Sequence, residues 1–147
     1  MMVDHGTFLV STTYLTEAMA IDRIAPELRR KAETVFPQAK AMLPKAIAAV
    51  KIACGSDAPP AIPHGQQAKE IVALVNRGMT PMQALRAATI TAAELIDEAD
   101  ELGRLAPGGY LADIIAVPGD PSADISTTLD VRFVMKGGEV YKQAAAQ

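Results

Sequence analysis

The sequence predicts an α/β protein with a smaller all-β segment on its carboxyl side. Two segments indicate buried strands: residues 7–14, which are dense in β-branched and aromatic side chains, and residues 52–55, which are small or apolar and bounded by turn formers. Residues 21–50, which separate them, are rich in Ala, Leu and charged side chains and favour helix. From residue 103 onward, three predicted strands follow one another without a helix, which indicates antiparallel pairing in a second unit. We therefore divide the chain into residues 1–102 and 103–147.

Composition limits the classes of protein to which the chain can belong. Its 147 residues are 50% hydrophobic, enough to bury a core, and its net charge of -3 argues against a nucleic-acid partner. The single Cys54 cannot form an intrachain disulfide, as is typical of a reducing compartment. The N-terminal residues lack a signal-peptide pattern, and no apolar run approaches the roughly 20 residues of a membrane span. We expect a soluble cytoplasmic protein without a membrane segment.

Prolines and capping residues predict where the helices begin and end. Pro26 fits the first helical position, whereas Pro37 and Pro44 predict a break near residues 36–37 and a second helix over 44–50. Residues 66–77 have helical apolar spacing and end at Gly78. Residues 80–83 form a capping box that opens a helix through residue 88, and residues 91–94 predict a similar box for a third helix through about residue 99.

The carboxyl-side segment contains predicted strands and turns only. A turn at residues 107–109 leads to a strand at 110–117. Residues 131–135 and 139–141 flank Lys136-Gly137-Gly138 and predict a β-hairpin. The glycine pair suits the left-handed backbone of a type I′ turn.

Asp57 is the first candidate site residue. It lies just past the end of the predicted strand 52–55, and in parallel α/β folds the carboxyl ends of strands face the ligand crevice. A carboxylate there can hold a metal or move a proton. The alternative is that Asp57 only caps a turn or the next helix.

His64 is the second candidate, since it ends the proline-rich loop that leaves the same strand. A surface or capping role remains the alternative for His64. His5, ahead of the first strand, is interpreted as structural.

Seven segments, in order and spacing, resemble the C-terminal part of the metal-dependent amidohydrolases, in particular the imidazolonepropionase-like and prolidase-like dipeptidase group. The resemblance covers almost the whole chain, starting with residues 4–10. The segments are Gly55-Ser56-Asp57, Pro63-His64-Gly65, and residues 78–89, 92–95, 103–108, 112–114 and 134–138.

The resemblance implies a TIM (β/α)8 barrel and a small β-sandwich built from both chain termini. This chain would supply the last two βα units, with strands 7 and 8, and the C-terminal strands of the sandwich. A full barrel needs about 250 residues. Members carry further metal ligands on the first, fourth, fifth and sixth strands, and none of these can be placed here. The one matching catalytic position is Asp57, which implies a metal ligand and proton acceptor; His64 resembles a loop position near the substrate.

Two classes of function follow from the resemblance. In the first, the chain belongs to an amidohydrolase that cleaves a C–N bond in a small amide, cyclic amide or dipeptide with one or two divalent metal ions, foremost zinc. In the second, it is a non-catalytic fragment or interaction module, because one carboxylate and one histidine cannot supply the ligands of a catalytic zinc. Alone, the chain is expected to be inactive. Unpaired strand edges predict a homo-oligomer, which could rebuild a barrel from several copies, or association with the missing barrel portion.

Overall fold

A computed structural model describes residues 1–58, 62–108 and 110–144 and confirms the α/β prediction. The strands are β1 (Phe8–Val10), β2 (Lys51–Ala53), β3 (Ile114–Ala116), β4 (Phe133–Lys136) and β5 (Glu139–Gln143). The α-helices are α1 (Leu15–Ala18), α2 (Pro26–Ile47), α3 (Ala68–Asn76), α4 (Pro81–Ala88) and α5 (Ile90–Leu95). Short 3₁₀ helices lie at Val3–His5, Ile21–Arg23 and Ile125–Leu129.

β1 and β2 form a two-stranded parallel sheet, as the sequence predicts. Leu9 pairs with Ile52 and Val10 with Ala53. The first strand is shorter than the predicted 7–14, because Thr12 adopts a left-handed backbone with φ of 42°. A β-branched residue in that conformation ends the extended run.

The core lies between β2, α2, α3 and α4. Ile52 of β2 packs with Leu74 of α3, with Ala84 and Ala87 of α4, and with Leu43 of α2. Leu74 and Ala84 have no exposed surface at all. This packing fixes β2, and with it the segment that contains Asp57.

The predicted break in the first long helix is wrong. α2 runs without interruption from Pro26 to Ile47, through both Pro37 and Pro44, and no separate helix begins at residue 44. Both prolines are exposed. The carbonyl groups that lose a donor to them can therefore bond to water, which lowers the cost of an interior proline.

Of the two predicted capping boxes, the first is confirmed and the second is wrong. The Thr80 side chain accepts from the Gln83 backbone N–H, and the Gln83 Oε1 accepts from the Thr80 backbone N–H at 2.8 Å. α5 begins at Ile90, one residue before Thr91, and ends at Leu95. The Glu94 carboxylate does not close a capping box but pairs with Lys51 Nζ at 2.8 Å. Gly78 follows α3 with φ of 109°, as predicted for the residue after a helix end.

The second sheet is antiparallel, in the order β3-β4-β5. The predicted hairpin is confirmed, with positive φ at Gly137 (56°) and Gly138 (83°) between β4 and β5. Only Ile114–Ala116 of the predicted strand 110–117 is extended. The 3₁₀ helix Ile125–Leu129 packs against α3 and connects the second sheet to the first unit.

Two predicted features fall partly outside the described residues. The proline-rich loop includes residues 59–61, and the turn at 107–109 includes residue 109. Within the described parts of the chain, no helix combines the length and apolarity needed to cross a membrane.

Candidate functional site

Asp57 lies four residues beyond β2, at the carboxyl end of the parallel sheet. Its side chain is exposed, and its backbone is left-handed with φ of 52°. Aspartate tolerates this conformation better than most residues. Among the described residues, which leave out 59–61, none donates a side-chain or backbone hydrogen bond to the Asp57 carboxylate. The carboxylate is accessible to a ligand.

Gly55 allows the two strand ends to approach each other closely. A Cβ atom at Gly55 would lie 2.5 Å from Cγ1 of Val10, the last residue of β1. That distance is far below van der Waals contact, so any side chain at position 55 would push the strand ends apart. The glycine of the Gly55-Ser56-Asp57 segment therefore has a packing role.

A second carboxylate, that of Glu70 on α3, organises the segment that leaves β1. Glu70 is 0% exposed. Its Oε1 accepts from Ser11 Oγ at 2.8 Å and from the Thr13 backbone N–H at 2.7 Å, and its Oε2 accepts from the Tyr14 backbone N–H at 2.6 Å. These three bonds tie the chain after β1 to the helix that follows β2, at the same end of the sheet as Asp57.

The environment of Glu70 affects two pKa values. Burial raises the pKa of the Glu70 carboxyl, and the hydrogen bonds from Tyr14, Thr13 and Ser11 oppose that rise. Burial, followed by the negative charge of Glu70, raises the pKa of the Cys54 thiol to about 12. The Cys54 thiol is therefore protonated at neutral pH, and the reactive thiolate form is disfavoured.

The other predicted site residue, His64, lies in an exposed turn next to Gly65. The described residues do not bring it into a metal-binding group: within them there is no cluster of three or more His, Cys, Asp or Glu side chains suited to a metal ion. A catalytic zinc needs three protein ligands. Asp57 fits as one carboxylate ligand, but the described part of this chain does not form a metal site by itself.

Glu70 was missed by the sequence analysis, although a signal for it exists. It lies three and four residues before Ala73 and Leu74, both buried on α3, and thus shares their helix face. A lone carboxylate on the apolar face of a helix indicates a buried group that is either paired with a cation or satisfied by hydrogen bonds. The three donors that satisfy it lie 56 to 59 positions away, which a local pattern does not show.

Comparison with known proteins shows the family to which this chain belongs. The amidohydrolase family profile matches residues 1–141. Because that match spans nearly the whole chain, the protein belongs to the amidohydrolase family, as the seven sequence segments predicted.

Individual relatives agree with this assignment. Ochratoxinase of Aspergillus niger is 37% identical over 99 residues, which are 65% of this chain and 20% of that protein. A crystal structure of a Xaa-Pro dipeptidase with bound methionine in its active site is 39% identical, with a TM-score of 0.83 over 96% of this chain and 36% of that one. A prolidase complexed with N-methylphosphonate-L-proline is 28% identical, with a TM-score of 0.80 over 97% of this chain and 36% of the other. The chain thus spans about a third of these structures and a fifth of the curated relative.

Proposed function

We propose that this chain is the C-terminal share of a metal-dependent amidohydrolase that hydrolyses a C–N bond in a small amide, cyclic amide or dipeptide. The observation that carries the proposal is the position of Asp57. An exposed carboxylate follows a buried parallel strand in a chain whose family match covers residues 1–141. In this proposal β1 and β2 are the seventh and eighth strands of a TIM barrel, and residues 103–147 belong to the small β-sandwich.

Asp57 has two roles in the proposal. Its carboxylate is one ligand of a divalent metal ion, most simply zinc, which when bound supplies a water of lowered pKa. With the metal bound, a carboxylate oxygen of Asp57 would accept a proton from the attacking water and would return it to the leaving nitrogen. Glu70 fixes the segment after β1 at the rim of the same site through its three hydrogen bonds. His64 is a substrate-side loop residue.

The same geometry supports the proposal that the 147 residues are inactive alone. The described residues supply Asp57 but no group of three ligands. The second candidate function, a non-catalytic interaction module, rests on this observation too. The amidohydrolase and the interaction module differ in whether Asp57 contributes to turnover once the remaining barrel is present.

A fused chimera tests the proposal. The part of the Xaa-Pro dipeptidase that aligns with this chain is replaced by residues 1–147, and hydrolysis of a Xaa-Pro dipeptide is measured with added zinc. The chimera is expected to hydrolyse the dipeptide, whereas the 147-residue chain alone is expected to show no turnover. Chelation should abolish the activity of the chimera reversibly.

In the chimera, Asp57→Asn should keep the fold and lower kcat by about 10³-fold or more, because an amide neither balances the metal charge nor accepts a proton. Asp97→Asn is the matched control, since Asp97 is also exposed and has a left-handed backbone with φ of 59°. Turnover of the Asp57→Asn chimera within a few-fold of the parent would refute the role of Asp57. A folded chimera without any turnover would favour the module.

A further inference from the structure

Thr12, in the segment that leaves β1, is held in a conformation that its own side chain disfavours. Its φ of 42° is left-handed, and the other two non-glycine residues with positive φ in the described parts of the chain are Asp57 and Asp97. Aspartate tolerates this backbone, whereas a β-branched threonine is crowded in it. Such strain persists only where the surrounding structure fixes it, and it clusters at functional sites.

The Glu70 carboxylate fixes the chain on both sides of Thr12. It accepts from the Ser11 hydroxyl, one residue before, and from the Thr13 and Tyr14 backbone N–H groups, directly after, at 2.6 to 2.8 Å. Its two oxygens are acceptors for all three donors, whereas a glutamine would turn an NH2 group towards one of them. The strained turn is therefore set by a buried side chain of α3.

This turn lies beside Asp57. A Cβ atom at Gly55 would lie 2.5 Å from Val10 Cγ1, so the two chain segments are in close contact where the strands end. Thr12 comes two residues after Val10. Asp57 comes two residues after Gly55. Both residues are thus at the carboxyl ends of adjacent parallel strands, where the loops of α/β folds bind their ligands.

The Thr12 side chain differs from its neighbours in its contacts. Ser11 and Thr13 line a recess between β1 and α2, whereas Thr12 lies outside that recess. Thr12 is half-buried, and among the described residues, which leave out 59–61, no group bonds to its hydroxyl. Within this part of the chain, the hydroxyl is therefore available to a ligand at the strand ends.

From these observations we infer that the Thr12 hydroxyl binds the substrate and helps to determine which substrates fit, and that Glu70 is a positioning residue that acts through Thr12. The inference rests on the proposed function and adds to it a contact beside Asp57. A hydroxyl donates to a carbonyl oxygen and accepts from an amide N–H, and both groups are present next to the C–N bond of an amide or dipeptide.

The KM of the fused chimera tests the role of Thr12. Thr12→Val removes the hydroxyl and keeps the branched shape, so it should raise KM about three- to tenfold, the contribution of one neutral hydrogen bond, and change kcat by less than about twofold. Thr12→Ser keeps the hydroxyl and should have a KM within about twofold of the parent. Thr91→Val is the matched control, since Thr91 is also half-buried but lines a recess with Lys51 at the amino end of β2.

The role of Glu70 is tested by combining variants in the chimera. Glu70→Gln should raise KM by a factor similar to that of Thr12→Val, because Thr12 loses its fixed position. Added to Thr12→Val, it should raise KM by less than about twofold more, since Glu70 acts through Thr12. Met79→Ala is the control for a loss of stability alone, because Met79 is buried in the core, and it should leave KM unchanged. Independent, multiplying effects of Thr12→Val and Glu70→Gln would overturn the positioning role.

The 147-residue chain gives a readout that needs no activity. Its Thr12 backbone is expected to lose the left-handed conformation in Glu70→Gln, which the three-bond coupling between the Thr12 amide and α protons measures. Ser11→Ala, which removes one donor and leaves the carboxylate, is a milder second variant in case Glu70→Gln does not fold. An unchanged coupling in the folded variants would overturn the role of Glu70.

The outcomes separate this inference from the proposed function. An unchanged KM in Thr12→Val, combined with loss of turnover in Asp57→Asn, would overturn the inference and leave the function intact. If the chimera folds without turnover, its affinity for N-methylphosphonate-L-proline replaces KM. Weaker binding by Thr12→Val would then support the inference although the function fails. Equal binding by parent and variant, or no binding by either, would overturn the contact at Thr12.

Discussion

Ile52 and Ala53 of β2 are buried in the parallel sheet, whereas all five residues of β5 in the antiparallel sheet are exposed. No residue of β3 or β4 is buried either. The buried residues nearest the second sheet, Ile125 and Thr128, belong to the 3₁₀ helix that packs against α3. The first sheet is therefore held by side-chain packing within this chain, and the second mainly by its backbone ladder and hairpin turn.

This difference also distinguishes the carboxylates of the first unit. Glu70 is enclosed and accepts three hydrogen bonds, while Asp57, at the same end of the sheet, is exposed. A fully satisfied buried carboxylate orders its surroundings and is unavailable to a ligand. Asp57 is exposed and lies four residues beyond a well-packed strand, so its side chain is accessible next to a fixed backbone. The packed unit thus provides the scaffold that a catalytic group needs.

The largest effect on stability is expected at the packed core. Leu74→Ala should lower the free energy of unfolding by about 3–5 kcal/mol, because Leu74 is fully buried and its removal leaves a cavity. Leu129→Ala, next to the second sheet, should cost less than about 1 kcal/mol, because Leu129 is half exposed. Urea denaturation measures both values. Equal losses would show that the two units are packed equally well.

The next effect concerns Glu70. Glu70→Ala removes the acceptors of the Thr13 and Tyr14 N–H groups and of the Ser11 hydroxyl, and should cost about 3 kcal/mol. Amide hydrogen exchange at Thr13 and Tyr14 should accelerate more than exchange in β4. Glu101→Ala, at an exposed position, is the control and should leave both quantities unchanged. Unchanged exchange at Thr13 in Glu70→Ala would contradict the role of the carboxylate.

The pH dependence of stability provides a separate test of Glu70. Its pKa in the folded state is raised above the ordinary value of 4.5, so the folded state binds more protons in the window above 4.5. The contribution of Glu70 to stability is then complete below pH 4.5 and falls as pH rises through the folded-state pKa. Glu70→Gln removes the titrating group, so the stability of this variant should lack the pH dependence that Glu70 causes. Between pH 4 and pH 7, the unfolding free energy of the parent should therefore fall relative to that of Glu70→Gln.

Local patterns predicted the features that depend on neighbouring residues. The Thr80 capping box and the Gly137-Gly138 hairpin turn are confirmed. The parallel pairing of the two apolar strands, which the family resemblance implied, is confirmed as well. The break at Pro37 failed because the cost of an interior proline depends on whether water reaches the freed carbonyl, which follows from the tertiary structure. The box at Thr91 failed because Glu94 pairs with Lys51, 43 positions away. The position of Asp57 beyond the end of a strand followed from the local sequence, whereas the hydrogen bonds of Glu70 join distant segments.

The smallest effect compares one glycine in each unit. Gly55→Ala places a Cβ atom 2.5 Å from Val10 Cγ1 and should cost about 1–3 kcal/mol through overpacking. Gly138→Ala meets no atom within 4 Å, but its φ of 83° is strained for alanine, and the cost should be about 1–2 kcal/mol.

The two costs differ in whether a neighbour can relieve them. Val10→Ala removes the clashing methyl group, so the double variant Val10→Ala/Gly55→Ala should be less destabilised than the sum of the single variants, by at least about 0.5 kcal/mol. The destabilisation by Val10→Ala should simply add to that by Gly138→Ala, because the cost at residue 138 comes from its own backbone conformation. Urea denaturation of the three single and the two double variants gives both coupling energies. A coupling near zero for Val10 and Gly55 would mean that the strand ends separate freely, and the packed unit would then position Asp57 less firmly than the contact between Gly55 and Val10 indicates.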